Sequence, residues 1–190
     1  SNSNPTIRLA VGTSVNNTGL IDTDGSANLN GILFIDNWWT NSVTNSGTIQ
    51  TETSGNYGQA IQVQDASLTE ITNSSGGTIK VTDSAHNSGV IRVSTGGVVN
   101  TITNDGTISA TGSVHSRGII SINTATIDRI INTGTIIAQG PGQHLIVRGF
   151  NVYLTKTLSW YFNVNFCNVI LYIISNCIDI LNLERIFIEA

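Results

Sequence analysis

A phrase of the form Asn-x-Gly, closed by Thr-Ile or once by Leu-Ile, recurs along the chain: NTGLI from Asn17, NSGTI from Asn45, NSSGGTI from Asn73, NDGTI from Asn104 and NTGTI from Asn132. The intervals between the asparagines are 28, 28, 31 and 28 residues. A fixed period of this size marks a stack of equivalent units and limits the fold more tightly than any local propensity. The longer interval carries two extra residues in NSSGG and one beside Gly96 and Gly97, turn insertions that loops accept at little entropic cost.

Between the phrases, apolar residues keep their place. Ile49, Ile79, Ile108 and Ile136 follow the Gly-Thr step. Alternation then sets Leu33 with Ile35, Ile61 with Val63, Ile91 with Val93 and Ile120 with Ile122 on one face of a strand. A third set is Leu68 and Ile71, Val99 and Ile102, Ile127 and Ile130, with Val43 continuing the column of Ile71, Ile102 and Ile130. Each unit therefore reads as three short strands, rich in β-branched residues and separated by Gly, Asn, Ser and Thr turns. Three such strands cannot bury their apolar faces alone, so the units must stack. In register, equivalent residues fall about 4.8 Å apart and successive coils pair in parallel. A helical repeat of similar length is disfavoured, because no 3.6-residue apolar stripe is present and the chain holds 19 Gly. The expected fold is all-β, a parallel β-solenoid of about five coils over residues 6–149.

The phrase itself has the chemistry of a corner. Asn45, Asn104 and Asn132, with Asn17 and Asn73, tolerate a left-handed backbone, and once stacked they can bond to one another as an amide ladder. Gly47, Gly106 and Gly134 are expected to take positive φ. A ligand site of Asn and Thr is the competing reading, but stacking alone accounts for the repetition.

The corners VTNSGTI, ITNDGTI and IINTGTI resemble the IxNxGTI repeat of autotransporter passenger domains, the secreted surface part of Gram-negative adhesins, and the resemblance covers residues 6–149. It implies a right-handed parallel β-helix, a parent protein with a C-terminal β-barrel translocator, and a place outside the cell or on the outer-membrane surface. It implies as partner a host-surface protein or glycan. Composition is consistent with this: charged residues make up 11%, polarity comes from Asn, Ser and Thr, and a net charge of −4 offers no basic field to nucleic acid. The repeats contain no Cys, so stacking rather than disulfides or thiolate metal sites must hold them. A start at SNSNPT with a coil under way by Ile7 reads as a fragment from within a longer chain, which leaves the export signal open.

After Gly149 the pattern stops. All 19 Gly precede residue 150, the corner phrase does not return, and both Cys lie in the Ile- and Asn-rich stretch that follows. Residues 150–190 have three readings: a cap over the last coil, a change of reading frame, or a membrane segment. The last is the weakest, since Asn163, Asn165, Asn168, Asn176 and Asp179 interrupt the 20 or so apolar residues that a span needs.

Candidate sites are few. Trp38 and Trp39 stand at a strand-to-strand corner where other units place Ala66 with Ser67 and Ala125 with Thr126. An exposed aromatic pair can stack on a sugar ring or anchor a partner, whereas a single covered ring would only close a core edge. His86, His115 and His144 are spaced by 29 and 29, a spacing that suggests one loop column able to bind a metal or sense pH, beside the plainer reading of exposed loop histidines. Asp22 and Asp24 in IDTDG lack the further ligands of a calcium loop and read as a solvated turn. Asp65 with Glu70 and Asp128 with Arg129 read as surface charges, and no cofactor site or Ser-His-Asp set can be assigned. The expected function is a non-catalytic stalk and adhesive surface. The runner-up is a carbohydrate-active β-helix enzyme such as a phage tailspike or polysaccharide lyase, which would need acidic or basic side chains converging in one groove.

If residues 150–190 do not belong to the stack, deleting residues 152–190 will leave the β-sheet circular dichroism and the melting of the remaining coils essentially unchanged and will raise solubility. A truncated chain that no longer folds would identify the tail as a cap.

Overall fold

A computed structural model describes residues 6–9, 13–25, 30–37, 41–53, 58–82, 89–111, 117–121, 123–139 and 144–147. Within them the chain is all-β, with fifteen strands and no helix. In order they are β1 (Ile7–Leu9), β2 (Val15–Asn17), β3 (Leu20–Gly25), β4 (Asn30–Asn37), β5 (Ser42–Asn45), β6 (Thr48–Thr53), β7 (Gln59–Asn73) and β8 (Thr78–Thr82). There follow β9 (Gly89–Ser94), β10 (Val98–Asn104), β11 (Thr107–Thr111), β12 (Arg117–Ser121), β13 (Thr126–Asn132), β14 (Thr135–Gln139) and β15 (His144–Val147).

All pairings are parallel and join equivalent strands of successive coils. Three sheet faces result. The first runs β1-β4-β7-β9-β12-β15, the second joins β2, β5, β7, β10 and β13, and the third runs β14-β11-β8-β6-β3. Strand β7 serves the first two, because its 15 residues bend at Asp65, where φ is 45°. This is a β-solenoid, the architecture that the 28-residue period demands.

The interior is a set of vertical columns. On the second face Val43 pairs with Ile71, Ile71 with Ile102 and Ile102 with Ile130, and all four are at most 1% exposed. On the third face Ile49, Ile79, Ile108 and Ile136 form a column with no solvent exposure. These columns are the ones expected from the sequence.

The first face differs by one residue at both ends. Ile61 and Ile91 pair as expected, but their neighbours in register are Ile32 and Ile119, while Phe34 stands beside Val63. Leu33 is paired with Gln62, Ile35 with Gln64 and Ile120 with Arg92, so Leu33, Ile35 and Ile120 are in the other register from that expected; Ile122 lies outside the described residues. The cause is local. GILFID and RGIIS are apolar at successive positions, so alternation alone cannot choose which set faces inward. The neighbouring coils choose, and Phe34 fills the interior with no exposure.

The tail and the 149/150 boundary lie outside the described residues. No helix among the described residues is long and apolar enough to cross a membrane.

Replacing Ile102 by Ala should lower stability by about 2–5 kcal/mol, since it opens a cavity between Ile71 and Ile130. Thr103→Ala, on the outward side of the same strand, should change it by less than about 0.5 kcal/mol. Equal effects in denaturant titrations would refute the assigned faces.

Candidate functional site

The repeated corner lies between the second and third faces. Asn17 Nδ2 donates to Asn45 Oδ1 at 2.8 Å, Asn45 to Asn73 at 2.8 Å, Asn73 to Asn104 at 2.8 Å and Asn104 to Asn132 at 2.7 Å. The same amides donate to the glycine carbonyl of their own corner, as from Asn104 to Gly106 O at 3.3 Å, and to the threonine carbonyl of the next coil, as from Asn104 to Thr135 O at 3.1 Å. Three acceptors share two hydrogens, so one bond is bifurcated. Asn45, Asn104 and Asn132 have no exposure at all. Buried amides without partners would each cost about 1–3 kcal/mol, and the ladder removes that penalty in every coil at once.

Expected positive φ at Gly47, Gly106 and Gly134 is not found. Among the described residues the left-handed glycines are Gly76, in the NSSGG insertion, and Gly96. The non-glycine residues with positive φ are Asp65, Thr95, Asn123 and Thr124, all at the bend between the first and second faces. Nor do the ladder asparagines adopt a left-handed backbone. Glycine is required at the corner for a different reason. A Cβ on Gly47 would run into the carbonyl of Gly19, one on Gly106 into that of Gly77, and one on Gly134 into that of Gly106. The glycines stack with their backbones in contact, and the corner is too tight for any side chain.

The outward faces beside the corner are lined mainly by small hydroxyl side chains. One column runs Asn16, Thr44, Thr72, Thr103 and Ile131, the other Leu20, Thr48, Thr78, Thr107 and Thr135, with Leu20 exposed. Further from the corner the columns diversify: Asp22, Gln50, Lys80, Ser109 and Ile137 follow one another in register. IDTDG is part of strand β3 rather than a turn, and Asp24 stands beside Glu52, both exposed. Asp128 and Arg129 are exposed, and Arg129 donates to Thr101 Oγ1 of the coil before it at 3.3 Å. No cluster of three or more His, Cys, Asp or Glu able to hold a metal occurs among the described residues.

Several charged groups are only partly exposed, Arg117 among them. Arg117 is level with Gly89 in one neighbouring coil and His144 in the other. It is half-buried, and burial lowers its guanidinium from the ordinary value. His144 is aligned with Arg117; His86 and His115, the other members of the expected column, lie outside the described residues, as do Trp38 and Trp39.

No family model, curated protein or solved structure matches the chain.

Asn104→Asp keeps the shape but leaves an acceptor facing Asn132 Oδ1, Gly106 O and Thr135 O. Burial among acceptors will raise its folded-state pKa above the unfolded value of about 3.9. The variant should therefore be least destabilised below that value and should lose stability as pH rises through the raised folded pKa. Gly106→Ala should cost about 1–3 kcal/mol at any pH. Melting temperatures of both variants between pH 4 and 7 test the assignment, and a pH-independent Asn104→Asp would contradict it.

Proposed function

We propose that the chain is a non-catalytic stalk and adhesive surface of a secreted or outer-membrane-exposed bacterial protein of the autotransporter passenger kind. The carrying observation is the IxNxGTI-like corner itself, repeated at intervals of 28 residues and once of 31 and joined through all five copies by one amide ladder. A rod built this way is stiff, because each coil is bound to the next by three parallel strand pairs and a buried side-chain bond. Its outside is rich in threonine, serine and asparagine, groups that both donate and accept hydrogen bonds and that suit glycan hydroxyls or a protein surface. Trp38 and Trp39 are the candidate anchors, since an aromatic pair supplies the apolar face of a sugar with a stacking partner.

A carbohydrate-active β-helix is the second reading, and one observation favours it: Asp22, Asp24 and Glu52 share an outward patch on β3 and β6. All three are exposed on a sheet face. General acid catalysis would need one carboxyl shielded enough to hold its proton near neutral pH.

Glycan-array and matrix-protein binding by the purified chain tests the proposal. Trp38→Ala with Trp39→Ala should weaken the strongest binding at least about tenfold, the loss of one buried aromatic anchor, with an unchanged melting curve. Shortening of the bound glycan, abolished by Asp24→Asn, would replace adhesion by hydrolysis or lyase chemistry.

A further inference from the structure

One inward row of the first face is polar. The row of Ile32, Ile61, Ile91 and Ile119 has no exposure. Two residues earlier in each of these strands, on the same side of the sheet, stand Asn30, Gln59, Gly89 and Arg117, with His144 paired to Arg117. Gln59 is 1% exposed, and its Nε2 is a buried donor with no hydrogen-bond acceptor. Such a group costs stability until an acceptor meets it. The main chain of the same residue is met, since the Thr51 hydroxyl donates to Gln59 O at 2.9 Å. That bond sets the third face against the row. Thr51, Val81 and Ala110 pair in register there and are 1%, 2% and 4% exposed. Arg117 lies two strand steps beyond Gln59, about 9.6 Å along the axis. It is half-buried, and burial lowers its guanidinium because the charged form is less well solvated there. At the level between them Gly89, itself buried, carries no side chain. Glutamine and arginine side chains each reach further than one step of about 4.8 Å, so an amide and a guanidinium bracket a glycine beside Val81.

We infer that the interior of the third-to-first bend binds a small inorganic anion of halide size, held over Gly89 between Gln59 Nε2 and the Arg117 guanidinium. This goes beyond the adhesive reading and stands without it. The sign of the ligand follows from the groups that face it. Both are donors, one is a cation, and no carboxylate among the described residues stands on this row or on the facing row of Thr51, Val81 and Ala110. A metal ion would find no ligand of opposite charge there. Water could accept from the amide but would leave the half-buried charge unbalanced, whereas an anion meets both. Size follows from the glycine. One missing side chain beside Val81 makes room for a halide and not for a bulky organic anion.

The test melts the full chain at fixed ionic strength while sodium bromide replaces sodium gluconate, whose anion is too large for the level of one glycine. The melting temperature is expected to rise with bromide, following the logarithm of its concentration once the site is filled. Arg117→Met should abolish the rise. Gln59→Met should weaken bromide binding at least about tenfold, the loss of one hydrogen bond to an ion. Without bromide the same variant should melt at or above the wild-type temperature, because it removes a buried donor that nothing meets. Lys80→Met takes a cation from the outward side of the third face and should leave the rise unchanged; a loss equal to that in Arg117→Met would signify general charge screening and overturn the inference. Crystals soaked in bromide should show an anomalous peak within hydrogen-bond distance of both Gln59 Nε2 and the Arg117 guanidinium. Density at that place with no anomalous signal would identify water and overturn the inference. So would a wild-type melting temperature independent of bromide up to about 0.1 M.

Discussion

A side-chain amide buried away from water costs stability unless its hydrogen-bonding groups are met, and at the repeated corner they are met by another asparagine one coil above and one below together with backbone carbonyls. That constraint organises the rest. Once Asn45, Asn73 and Asn104 are linked through Oδ1 and Nδ2, the vertical spacing at the corner is set by a bond of 2.8 Å and by the strand spacing together. Any slip of one residue would bury an unpaired amide in each coil it affected. Apolar columns alone are less discriminating, since one Ile beside another is nearly as good as Ile beside Val. The ladder therefore supplies register and the columns supply the bulk of the burial.

Glycine at the corner follows from the same geometry. Drawing the asparagines into contact brings the turn backbones together, and the third residue of the phrase loses the room for a Cβ. The threonine after it gives its carbonyl to the asparagine of the preceding coil. The isoleucine next to it points inward and starts the third-face column. Each of the four fixed letters of NxGTI is thus accounted for by one contact, and the third corner, NSSGG, places its surplus residues in a left-handed turn at Gly76.

What could be read from the sequence follows from how redundantly each feature is written. The Val43–Ile71–Ile102–Ile130 column and the ladder were legible because several coils state them without ambiguity. The inward set of β4 and β12 was not, because Ile32, Leu33, Phe34 and Ile35 are all apolar and the choice between alternate residues is made by the coil next door. The left-handed bend at Asp65, Thr95, Asn123 and Thr124 was missed for a related reason: Asp and Asn tolerate αL but do not announce it, and Thr argues against it. Gly47 was correctly marked as indispensable on the wrong physical ground, since close approach and positive φ leave the same residue in the sequence. Arg117 gave no signal at all. Its partial burial could not be anticipated from spacing.

Internal repetition also separates what the fold needs from what it leaves free. Ile21, Ile49, Ile79, Ile108 and Ile136 occupy one inward column without variation, while the adjacent outward column runs Asp22, Gln50, Lys80, Ser109 and Ile137. These positions are one residue apart in the same strands and share backbone geometry, pairing and neighbours. The difference between them is which side of the sheet they occupy. A change in charge, size and polarity from coil to coil is therefore permitted wherever the side chain meets solvent, and whatever specificity the rod possesses must be carried by such columns and by the bends that interrupt them. The consequence for recognition is geometric. A partner lying along these columns would meet a different side chain at each step of the axis, held at a spacing that the ladder does not allow to change.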